Sequence, residues 1–129
     1  MGINSTNVAY NFCQLGSVFT DTADPIQPPT GKVFVAIHFL ETTNLEEHGG
    51  LVAEQDSANG VEFMSTETAA DVAQTAHDIA HDSAPTAISG SGGTVFDHSN
   101  QLPAGTVIYG RWTQVHATTN VMIIAYIGE

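Results

Sequence analysis

His77 and His81 stand four residues apart in the run His77-Asp78-Ile79-Ala80-His81-Asp82. On a helix that spacing puts both imidazoles on one face, the geometry with which two histidines grip a metal ion. Asp78 occupies the position where a zinc protease carries its glutamate base, and its side chain reaches less far. His48, His98 or a carboxylate could complete a ligand set, but no spacing demands it. The plainer reading is a polar helix end whose histidines sit near the C-terminal dipole. His77 and His81 are thus weak metal candidates, and no cofactor is expected.

Other catalytic patterns are weaker still. Cys13 is the one cysteine, which excludes an internal disulfide and a thiolate zinc cluster. Set between Phe12 and Gln14-Leu15, it reads as a small buried hydrophobe. Ser89-Gly90-Ser91-Gly92-Gly93 is rich in glycine but neither opens a helix nor carries a phosphate-binding lysine. The fourteen acids include no calcium-hand spacing. Hydrolysis by paired carboxylates stays open on acid count alone, with nothing to place two of them along a groove. The expectation is a protein that is not an enzyme.

Tyr109-Gly110-Arg111-Trp112 carries a different kind of chemistry. Arg111 is one of only two basic residues, and it lies in mid-strand among aromatics. A guanidinium there must be paired or stacked. It either anchors an interface, where Arg, Trp and Tyr are enriched, or ties its strand to one of the many acids.

The elements that would position these residues read as mainly β. Residues 32–40 (KVFVAIHFL) form the clearest strand, apolar on both faces and hence central. By strict alternation Val33, Val35, Ile37 and Phe39 share one side, and Phe34, Ala36, His38 and Leu40 the other. Residues 106–116 and 121–127 read as two more strands, joined as a hairpin through Ala117-Thr118-Thr119-Asn120. Shorter strands are expected at residues 8–12, 51–53, 61–64 and 94–96. One short helix is expected over about residues 66–81, with Thr66 as its cap and Pro85 beyond its end. The total of about six or seven strands points to an antiparallel β-sandwich or jelly-roll-like fold. Proline-rich residues 24–31 divide residues 1–30, an extended N-terminal arm, from residues 31–129, the β-sandwich body.

Charge removes whole classes of partner. Fourteen acids against Lys32 and Arg111 give a formal net charge of −12. Neutralising phosphates takes many Lys and Arg, so neither nucleic acid nor an anionic membrane is an expected partner. The longest apolar runs fall far short of the ~20 residues that span a bilayer. The opening residues Met1-Gly2-Ile3-Asn4-Ser5-Thr6-Asn7 carry no basic or apolar leader pattern, so assembly in a cytoplasm is expected.

Two stretches carry a family resemblance. Leu102-Pro103-Ala104-Gly105-Thr106-Val107-Ile108-Tyr109-Gly110-Arg111-Trp112-Thr113, with Ala125-Tyr126-Ile127-Gly128, resembles small virion-associated proteins of marine tailed phages, including cyanophages. Tyr10-Asn11-Phe12-Cys13-Gln14-Leu15-Gly16-Ser17 is similar to the opening signature of the same group, with Cys13 where glycine is expected. The resemblance touches both ends and not the middle. It implies a structural component of the particle, a capsid decoration (cement) protein that bridges major capsid subunits on the head exterior. It further implies a homo-oligomer, expected as a trimer, located on the capsid surface. The interface residues expected for such a protein are Tyr10, Phe12 and Leu15 of the arm, with Arg111 and Trp112 of the body. The alternative is a receptor- or carbohydrate-binding module on a tail fibre or spike.

Overall fold

Residues 32–40 build the structure outward from its middle. The computed structural model describes residues 14–54, 64–66, 96 and 98–129. They form five strands: β1 (Ser17–Thr20), β2 (Val33–Phe39), β3 (Leu51–Ala53), β4 (Thr106–Val115) and β5 (Ile123–Gly128). All pair antiparallel in one sheet of order β1-β5-β2-β4-β3. Among the described residues the fold is all-β, and the sheet is open, not closed into a barrel. A second sheet is not formed among the described residues. The helix expected over residues 66–81 lies outside them, except for Thr66. That residue is buried, and its hydroxyl accepts the Leu51 N–H at 2.8 Å.

β2 is central, as its two-sided apolarity requires, with β5 on one edge and β4 on the other. This arrangement overturns the expected hairpin. β4 and β5 are not neighbours; β2 lies between them. The link from β4 to β5 crosses the end of β2, held by an isolated bridge between Ala117 and Leu45 and by Leu40 N–H donating to the Met122 carbonyl. Two strand spacings are only ~10 Å, which a few residues can cover.

Strict alternation fails at two points. The register of β2 shifts between Phe34 and Ala36: Val35 has no partner between Tyr126 and Ile127 of β5, and it lies opposite both Gly110 and Arg111 of β4. Phe34 therefore joins Ile37 and Phe39 on the core side, not Ala36 and His38. A second shift, where β3 meets β4, puts both Trp112 and Val115 into the core. Three cross-strand rows result: Thr20–Ile123–Phe39–Thr106, Val18–Ala125–Ile37–Ile108 and Ile127–Phe34–Trp112–Ala53. Leu45, Leu102, Ala117 and Val121, from the connecting segments, complete the same core cluster. Each large side chain fully buried here contributes ~1.5–3 kcal/mol.

Residues on both sides of position 30 take part in the one sheet. Ser17–Thr20 is an edge strand of the sheet, and Ile26 exchanges two backbone hydrogen bonds with Val115 at 3.0 and 3.1 Å. Val18 and Ile26 both pack against the core. Burial of those two apolar side chains fixes residues 17–26 to the body, whatever their polar neighbours favour.

Candidate functional site

The side of the sheet opposite the core carries two rows. The first runs Phe19–Ile124–His38–Val107 and the second Ser17–Tyr126–Ala36–Tyr109, each across β1, β5, β2 and β4 in turn. Position 2 of the strand repeat places these residues together: they alternate with the core-facing rows, one by one. Tyr109 is 66% exposed, Phe19 57% and Val107 37%. Ile124, His38 and Tyr126 are half-buried, and Ala36 is buried. Neither row holds a carboxylate, an ammonium or a guanidinium. On a chain of net charge −12, such an uncharged and aromatic area stands apart from its surroundings.

The basic residues gather at one end of the sheet, where they are engaged within the chain. Arg111 donates through Nε and Nη2 to the two carboxylate oxygens of Glu54, and through Nη1 to the Glu129 carbonyl at 2.5 Å. Lys32 Nζ lies 3.2 Å from the Glu129 carboxylate. Of the two roles open to Arg111, the structure shows the tie: it joins β4 to the residue that follows β3 and to the residue that follows β5. Glu54 is fixed further by its own N–H donating to the Arg111 carbonyl at 2.9 Å.

Trp112 lies inside the body, not at its surface. It is 1% exposed, belongs to the core and donates its indole N–H to the Met64 carbonyl at 2.9 Å. It keeps the parity of Thr106 and Ile108 on β4, and the register shift between Phe34 and Ala36 brings Phe34 beside it. Leu15 is half-buried against the core, with its N–H donating to the Ile127 carbonyl at 3.3 Å, so it belongs to the body and not to a free arm. Tyr10, Phe12, His77 and His81 lie outside the described residues. Among the described residues, no three His, Cys, Asp or Glu side chains come together as a metal would need, and no helix is long and apolar enough to cross a membrane.

Phe19 is the site residue that strand-by-strand reading passed over. Its signal is Val18-Phe19-Thr20, three β-favouring residues in succession that follow Ser17 and Gly16, whose φ is 119°. Tyr109 and Tyr126 both fall inside strands. In an open sheet a strand residue on the uncovered side is a surface residue, and Tyr109 is the most exposed large hydrophobic among the described residues.

Comparison of the chain with protein-family models, with curated proteins and with solved structures found no match. The functional reading therefore rests on the sheet face and on the residues that carry the phage resemblance.

Proposed function

We propose that this protein acts by adhering to other proteins, as a capsid decoration protein on the head exterior of a tailed phage. The observation that carries the reading is the open sheet face, uncharged and bearing Phe19, Tyr109 and Val107 at the surface. A patch of this kind on a strongly acidic body fits protein docking, where aromatic anchors contribute most of the energy and carboxylates are depleted. The rest of the acidic surface faces a salty medium that screens it. The phage resemblance supplies the setting, and the major capsid protein is the partner it implies. Attachment through the body face replaces attachment through a separate arm as the main contact, because residues 17–26 belong to the sheet.

Immunogold labelling of intact particles from the source virus tests this. Label distributed over the head supports decoration; particles without label overturn it. Label confined to the tail tip favours the second reading, a carbohydrate-binding module. One specific observation supports that alternative: Tyr109 and Tyr126 flank Ala36, a small residue between two rings on which a sugar could stack. A glycan array without hits removes it.

A further inference from the structure

Resting on the reading of the sheet face as the capsid contact, we infer that the capsid protein also adds an extended segment bearing Lys or Arg to the open edge of β1. Ile127 donates its N–H to the Gly16 carbonyl at 2.8 Å, and the antiparallel register continues with Val18 opposite Ala125 and Thr20 opposite Ile123. Hydrogen-bonded and non-bonded pairs alternate in such a ladder, so Val18 and Thr20 turn their backbone groups toward β5. Ser17 and Phe19 turn theirs away from the sheet. Both residues are exposed, and among the described residues no backbone pairs with them on that side.

The opposite edge of the sheet is closed at Leu51 of β3. Its N–H donates to the Thr66 hydroxyl at 2.8 Å, and its carbonyl accepts the Ser65 hydroxyl at 2.6 Å and the Thr66 N–H at 3.0 Å. Strand edges are guarded against further pairing by proline, charge or cover. β3 has the cover, whereas Ser17-Val18-Phe19-Thr20 holds neither proline nor charge in a chain of fourteen acids. A row of outward N–H and C=O groups is matched by another extended backbone, the way peptides are taken up as added strands. Phe19 joins this edge to the docking face: its backbone faces the edge, and its side chain lies in the row with Ile124, His38 and Val107. One partner can therefore engage both.

Charge sets the chemistry of the added segment. Asp21 and Asp24 follow β1, both exposed, and the two bases of the chain are engaged elsewhere, Lys32 with Glu129 and Arg111 with Glu54. A Lys or Arg on the incoming segment would meet these carboxylates. A second copy brings a charge of −12 and the same two engaged bases, so it offers no such complement.

Binding of the full chain to heads of the source virus stripped of this protein tests the added strand. Ser17→Pro removes an outward N–H and spares the ladder to β5, a place where an edge strand tolerates proline. It is expected to raise the dissociation constant at least ~10-fold. Ser17→Ala keeps the N–H and is expected to bind as the unaltered chain does. Asp21→Asn combined with Asp24→Asn is expected to weaken binding several-fold. Circular dichroism checks that each variant keeps its sheet. Hydrogen exchange on the unaltered chain needs no variant: the Ser17 and Phe19 amides are expected to exchange fast in the free chain and slowly on the heads. Amides that stay fast on the heads, or binding indifferent to Ser17→Pro or to the paired Asn substitutions, overturn the inference. The same amides slowed in the concentrated free chain would give the edge to a second copy and overturn it too. Tyr109→Glu, on β4 and away from this edge, separates the two levels. Binding lost in Tyr109→Glu but kept in Ser17→Pro leaves the face contact standing without the added strand; the reverse leaves the added strand without the face. Heads that take up none of the chain overturn both.

Discussion

Tyr109 and Tyr126 stand on either side of Ala36, one across each edge of β2, on the face that the core does not use. Two strand spacings separate their backbones, ~10 Å. Tyr109 keeps most of its surface in solvent, while Tyr126 is half-covered. This pair lies on the face assigned here to docking, and it depends on the irregularity at Val35, which turns Ala36 outward and Phe34 inward.

The core side gives the first stability prediction. Trp112 is the one tryptophan, fully buried, with its indole N–H bonded to the Met64 carbonyl. Its fluorescence is expected to be blue-shifted and poorly quenched by iodide in the folded protein, moving red on unfolding. Trp112→Ala should cost ~3–5 kcal/mol in denaturant unfolding. An emission maximum typical of water in the native protein would place the indole elsewhere.

Two glycines separate steric from conformational demands. A Cβ on Gly50 would lie 2.1 Å from the Glu46 carbonyl oxygen, with rigid backbone on the other side of the contact. A Cβ on Gly105 would meet nothing within 4 Å, but φ there is +87°. Gly105→Ala is expected to cost ~1 kcal/mol from backbone strain alone, and Gly50→Ala clearly more, because the chain itself must move. Equal losses in thermal melts of the two variants would contradict this.

Arg111 and Glu54 form the best-connected ion pair among the described residues, yet both side chains are about one-third exposed. Screening by solvent limits the pair to at most ~1 kcal/mol. Glu54→Gln should therefore lower stability by no more than that in urea unfolding. A loss of several kcal/mol would mean that the pair organises more of the sheet edge than its exposure implies.

Salt dependence follows from composition. With fourteen acids and two bases, most carboxylates have no cation to pair with, so the folded state repels itself. The melting temperature is expected to rise from low ionic strength to ~0.5 M NaCl as the screening length falls below ~10 Å. A flat or falling profile would contradict the expectation.

Truncation tests where the body begins. Removing residues 1–20 deletes β1, strips Val18 from the core and uncovers the edge of β5. Its melting temperature should drop sharply relative to the full chain, whereas removing residues 1–13 leaves every described strand in place. Equal stability of the two truncations would contradict this expectation.

Much of this sheet was legible in the sequence because β2, β3, β4 and β5 announce themselves by apolar and β-branched runs. Their partners were not. Ala117-Thr118-Thr119-Asn120 has the composition of a hairpin turn, yet the strands it joins sit on opposite edges of β2, because a central strand apolar on both faces needs two neighbours. The faces were misread for a related reason. Val35 is as β-favouring as the residues around it, so nothing in its type marks it as the residue at which alternation slips. β1 escaped notice because its four residues follow a polar opening, and its membership in the sheet is decided by Val18 packing on distant strands. The docking face was invisible on those terms: a tyrosine in a strand is buried or exposed according to which side the rest of the chain covers.

The account stands or falls on what touches the row Phe19–Ile124–His38–Val107. A cryo-electron microscopy reconstruction of particles carrying the protein would show it directly. The expected result is density for this chain on the outer surface of the head, with that row buried against a neighbouring protein. Density with the row facing open solvent, or particles lacking the chain on the head altogether, would contradict the account.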